Sequence, residues 1–159
     1  MIEGTSRFGG TVSGALDGRL IEASRSYADS SRAESLLIEA LELDRQCLPV
    51  YFALYEFYFY SARLLDAERI VLAALKTAAR QAGIPSDWST LSPDSAAWGD
   101  TRSPAHFYLF TLKALVFIRL RQGHREQATE LLEKLATLDS ADTIGAGVRS
   151  LALATAADP

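Results

Sequence analysis

Ser31-Arg32-Ala33-Glu34-Ser35-Leu36-Leu37-Ile38-Glu39-Ala40-Leu41-Glu42-Leu43-Asp44 is the stretch from which the fold is read. Ala33, Leu37, Ala40 and Leu41 fall at i, i+4, i+7 and i+8, one face of a 3.6-residue helix. Asp29, Ser30 or Ser31 supplies a candidate N-cap oxygen. The same face returns 34 residues later as Ala67, Val71, Ala74 and Leu75, and Glu34 returns as Glu68. A third copy starts at Gln122-Gly123-His124-Arg125-Glu126-Gln127-Ala128 and continues through Leu132, Leu135, Ala136, Leu138 and Asp139. A fixed period of this length marks stacked helical units, each unable to bury its apolar face alone. Ala33, Ala67 and Ala128 are small because paired helices cross closely there.

Working outward, Pro49 fits the first turn of a helix over 48–63, and 65–82 forms another, stopped by Gly83 and Pro85. Ser103-Pro104 restarts a helix that runs to about Gln122. Glu126 to Leu138 forms the next, and Asp139-Ser140-Ala141-Asp142 caps a last one over about 143–156. A short, poorly matched helix is expected around Asp17 to Tyr27. Residues 1–15, with Gly4, Gly9, Gly10 and Gly14, read as a flexible tail. No stretch alternates as a strand does. The expected fold is all-α, one domain over 16–159, with an inserted loop at 83–103.

The turn glycine, the small residue five positions on and the endings Leu41-Glu42-Leu43-Asp44 and Leu138-Asp139 resemble the tetratricopeptide pattern over about 16–81 and 109–142. Departures are visible: Arg45 and Ser140 replace the terminal proline, Tyr55 and Val116 a small residue of the first helix, and Ala62 the turn glycine of the second copy. The resemblance implies about three antiparallel helix pairs and a C-terminal packing helix, an architecture that hosts binding more than catalysis.

Composition excludes several classes. Lys plus Arg is 16 against 20 for Asp plus Glu, a net charge of −4, so no basic footprint for nucleic acid exists. The 48% hydrophobic and 23% charged fractions are those of a soluble globular domain. No apolar run approaches the roughly 20 residues of a membrane span. The single cysteine, Cys47, forms no internal disulfide and suits a reducing compartment. The N-terminus has no secretory pattern, and the expected location is the cytoplasm.

No catalytic, metal-binding or cofactor-binding set emerges. His106 and His124 lack partners at ligand spacing and read as surface residues. Cys47 reads as a small buried residue. Gly9-Gly10-Thr11-Val12-Ser13-Gly14 lacks the Lys-Ser/Thr pair of a phosphate loop, and Gly145-Ala146-Gly147 is non-specific. Glu34, Glu39, Glu42 and Asp44 read as a solvated helix face.

The informative constellation is aromatic. Residues 51–60, Tyr51-Phe52-Ala53-Leu54-Tyr55-Glu56-Phe57-Tyr58-Phe59-Tyr60, hold seven aromatics, and Phe107-Tyr108-Leu109-Phe110 adds three. In the 34-residue frame Tyr51, Leu54, Tyr58, Leu112 and Leu115 are core. Phe52, Glu56, Phe59 and Tyr60 face an inner groove with Phe110, Lys113, Phe117, Leu120 and Arg121. Aromatic side chains with a few charges suit recognition of another protein, although the chain's own parts are an alternative cover for them. The loop at 83–103 carries Trp88 and Trp98, which either pin it to the body or anchor a partner.

Residues 48–60 and 107–115, with the tryptophan-bearing insertion between them, further resemble small tetratricopeptide-like proteins encoded beside bacterial nitrogen-fixation genes, among them nitrogenase-associated factors. That resemblance implies a cytoplasmic, non-catalytic chaperone or adaptor for the nitrogenase MoFe protein, in an immature or cofactor-deficient form, or for its assembly proteins. Two other readings stay open: a small-molecule or enzymatic module using the aromatic pocket, and a secretion-type chaperone holding an extended peptide.

Overall fold

A computed structural model describes residues 18–20 and 29–144. Among these residues the chain is helical, with no strand. After a helical turn at 18–20 come α1 (Ser30–Leu43), α2 (Leu48–Tyr60), α3 (Leu64–Ala82), α4 (Pro104–Arg121) and α5 (Arg125–Leu138). The expected tail at 1–15, most of the helix at 17–27, the glycine run at 9–14 and the C-terminal helix beyond residue 144 lie outside the described residues. No described helix is long and apolar enough to cross a membrane.

The boundaries follow local chemistry. Asp29 caps α1, its carboxylate accepting from the Arg32 N–H at 3.2 Å. Pro49 sits in the first turn of α2, and Ser103 caps α4 by accepting from the His106 N–H at 3.1 Å. Gly83 ends α3 at φ 71°, a left-handed conformation, while the Ile84 N–H reaches back to the Ala79 carbonyl at 3.0 Å.

Each helix packs on the next in sequence, and α2 also meets α4. Short turns join α2 to α3 and α4 to α5, so these pairs run antiparallel. The two turns are built alike. Arg63 N–H bonds Tyr58 O at 2.9 Å and Ala62 N–H bonds Phe59 O at 3.1 Å. His124 N–H bonds Arg119 O at 2.8 Å and Gly123 N–H bonds Leu120 O at 3.1 Å. Ala62 and Gly123 occupy the same left-handed position, at φ 60° and 83°. A side chain there costs roughly 1 kcal/mol. Ala62→Gly is therefore expected to raise the melting temperature by about 3 °C and Gly123→Ala to lower it by a similar amount; opposite signs in a thermal melt check the equivalence of the turns.

Ala33, Ala67 and Ala128 are completely buried, as are Ala40 and Ala74. Ala67→Leu and Ala128→Leu each overpack the interior and are expected to cost about 1–3 kcal/mol, against almost nothing for Glu42→Ala on the exposed face. Denaturant melts of the three variants read this directly.

Glu34 departs from expectation. Glu34 is no mere solvated surface group: it accepts from the Tyr58 hydroxyl at 2.7 Å and from Arg63 at 2.8 Å, tying α1 to the end of α2. The Arg63 bond, and then the Tyr58 bond, hold its carboxyl below the usual value. Burial, reinforced by that bond, pushes the Tyr58 hydroxyl up to about 12. Glu68 pairs in the same way with Arg119, tying α3 to the end of α4. The repeated glutamate thus fastens each outer helix to the close of the following hairpin's first helix.

Candidate functional site: an aromatic groove between α2 and α4

α2 and α4 are apolar around much of their circumference, because one side of each enters the core and another faces the groove. The core side takes Leu54, Tyr58, Phe107, Tyr108, Leu112 and Leu115, all buried. Core tyrosines keep their hydroxyls satisfied: Tyr51 donates to the Arg45 carbonyl at 2.8 Å, and Tyr108 to the Ser86 carbonyl at 2.7 Å. Tyr55 and Thr111 share a hydrogen bond of 3.3 Å across the groove floor, and burial raises the Tyr55 pKa.

On the other side the two helices enclose an open cleft of about 170 Å³. Phe52, Glu56, Phe59 and Tyr60 line it from α2, and Phe110, Lys113 and Phe117 from α4. Phe52 and Phe110 meet edge to face across it, centroids 6.3 Å apart and planes at 72°. Arg121 lies over the Phe59 ring at 5.2 Å, bridging the helices at the far end. Lys113 lies 5.7 Å from the centre of Phe110, and its ammonium donates to the Ile144 carbonyl at 3.0 Å. Phe117 is 36% exposed and Tyr60 79%. Of the nine groove residues expected from the 34-residue frame, seven line the cleft and Arg121 joins them by stacking on Phe59, whereas Leu120 does not line it and packs, partly buried, against the core.

Three lining residues were not anticipated: Tyr55, Ala114 and Ile118. Their signal was present in the spacing. Tyr55 lies three residues after Phe52, and Ala114 and Ile118 lie four and eight after Phe110.

The tryptophans lie elsewhere. Trp98 is buried, its indole N–H donates to the Ser92 carbonyl at 3.1 Å, and it tilts against Tyr108 at 6.4 Å. It is a structural pin, not an exposed contact. Trp88 is half-buried against the core in a short 3-10 turn, Trp88–Thr90, and does not line the groove. A second such turn, Pro93–Ser95, carries a Ser92 capping box. Lys134 of α5 holds the Leu91 carbonyl at 2.8 Å, so the loop is strapped to α4 and α5.

His106 is also buried, contrary to its expected surface position. Its Nδ1 donates to the Trp98 carbonyl at 3.2 Å and its ring lies 6.3 Å from that of Phe110. His124 is exposed. Cys47 is buried at the α1–α2 junction, and that burial raises its thiol pKa. Among the described residues no three His, Cys, Asp or Glu side chains cluster as metal ligands do.

No family model matches the chain. A curated relative does: the "Uncharacterized 19.8 kDa protein in nifW 5'region" of Azotobacter chroococcum mcd 1 is 32% identical over 126 residues, spanning 78% of this chain and 70% of the relative. Similarity over that span takes in more than the hairpin α2–α3 or α4–α5 alone, and the chain belongs to the family of the nifW 5′-region protein.

Proposed function

We propose that this chain is a non-catalytic accessory protein of nitrogen fixation that uses the α2–α4 groove to hold another protein, in the manner of a tetratricopeptide-like chaperone or adaptor. The observation that carries the reading is the groove itself: Phe52, Phe59, Phe110 and Phe117 line one open cleft at the protein surface. Aromatic side chains gathered at an accessible concavity are the usual energetic centre of a protein interface. Membership of a family with a relative in a nifW 5′ region supplies the context. The partner proposed is nitrogenase MoFe protein, in an immature or cofactor-deficient form, or one of its assembly proteins.

The cleft's volume, about 170 Å³, is smaller than the ~300–1,000 Å³ typical of small-molecule sites. Two of its polar side chains are engaged structurally, Tyr55 with Thr111 and Lys113 with the Ile144 carbonyl. Both facts favour a protein partner over a metabolite or a reaction. Affinity capture of the tagged chain from nitrogen-fixing cells, with ammonium-grown cells as control, tests the reading. Recovery of nitrogenase or an assembly protein by the parent, and its loss with a folded groove variant, is the expected result. Capture of neither in fixing cells contradicts it.

A further inference from the structure

We infer that the occupant of the groove is an amphipathic α-helix of the partner, laid apolar face down with acidic residues along the α4 side. The inference rests on the proposed binding role of the groove and adds the conformation and charge of what binds. Two observations carry it.

The first is the poverty of backbone partners in the groove. Its walls are two helices, whose N–H and C=O groups bond internally, and no strand edge exists among the described residues. The Tyr55 hydroxyl is bonded to Thr111, and the Lys113 ammonium spends one of its three donors on the Ile144 carbonyl while keeping its charge. An extended peptide pressed onto these aromatic walls has to desolvate its N–H and C=O groups without replacing their hydrogen bonds. A helix brings those bonds with it. The walls also have a helical rhythm: Phe52, Glu56 and Phe59 lie at i, i+4 and i+7 on α2, and Phe110, Ala114 and Phe117 at the same spacing on α4. Two such ridges leave a furrow that accepts a third helical ridge.

The second is charge. The chain carries a net −4, yet the α4 side of the groove presents Lys113 and Arg121, each set over an aromatic ring. Glu56 lies on the α2 side. The neighbouring cation Arg119 is paired with Glu68 and turned away from this role. A helix with carboxylates toward α4 meets both cations, and one with lysines there meets like charge, so the groove selects orientation as well as partner.

The test uses fluorescein-labelled synthetic helices of about three turns with Leu and Phe at i, i+4 and i+7 and either Glu or Lys on the flank, titrated into the full chain and followed by anisotropy. The Glu-flanked helix is expected to bind about tenfold tighter than the Lys-flanked one, and Arg121→Glu with Lys113→Glu to reverse that order. Arg121 is exposed, so the single variant Arg121→Glu, which should narrow the preference, serves if the double variant fails to fold. Equal binding of the two helices, no binding of the Glu-flanked helix, or equal binding of a proline-interrupted peptide of the same composition overturns the inference. A nitrogen-fixation partner captured through the groove with indifference to charge reversal overturns the inference alone and leaves the proposed function standing. Charge-selective helix binding without any such partner does the reverse.

Discussion

Trp98→Ala should lose about 3–5 kcal/mol of stability, the range for removing a buried tryptophan. The melting temperature should fall by roughly 10 °C or more. Trp98 is 5% exposed and does three things at once. Its indole packs on Tyr108, its N–H closes the loop onto the Ser92 carbonyl, and its own carbonyl receives His106 Nδ1. Removing the ring opens a cavity beside Tyr108 and leaves the Ser92 carbonyl without that donor. The loop then depends on Tyr108 to Ser86, Lys134 to Leu91 and His106 to the main-chain carbonyl of residue 98. Were Trp98 instead a partner contact, the variant would melt like the parent and lose binding. A melt and a capture experiment on one preparation separate these outcomes.

Phe59→Ala and Phe117→Ala should behave in the opposite way. Both rings line the groove; Phe117 is 36% exposed and Phe59 is half-buried at the edge of the core, so truncation removes less core than it does at Trp98. Each is expected to weaken partner binding by about 2 kcal/mol, near thirtyfold, with a nearly parental melting temperature. Phe59 also supports Arg121 at 5.2 Å, so its loss frees the guanidinium as well as removing apolar area. Phe110 is a poorer probe, since it packs on Phe52 and neighbours His106. Cys47→Ser and His124→Ala, away from the groove, should leave binding unchanged.

The residues that were legible in the sequence are those whose role is local or periodic. Ala33, Ala67 and Ala128 announce burial because only the packing of repeated helices asks for a small residue at that spacing, and all three are fully buried. Phe52, Phe59, Phe110 and Phe117 were placed on one surface by the same arithmetic. Gly83 and Ser103 declared helix ends through their backbone and capping chemistry. What escaped depends on contacts distant in sequence. Glu34 looks like any exposed carboxylate until α2 brings Tyr58 and Arg63 to it. The loop gives no hint of its path, which is decided by Tyr108 on α4 and Lys134 on α5. His106 was misplaced for the same reason: the carbonyl that receives its ring nitrogen belongs to Trp98, and only the folded loop puts it there.

Site-specific photo-crosslinking in nitrogen-fixing cells tests the central claim most directly. A benzophenone amino acid replaces Phe117 in the groove or, as control, Lys76 on the exposed side of α3. The account predicts a crosslink from position 117 to nitrogenase or one of its assembly proteins and none from position 76. A crosslink to such a protein from position 76, with none from position 117, would contradict it.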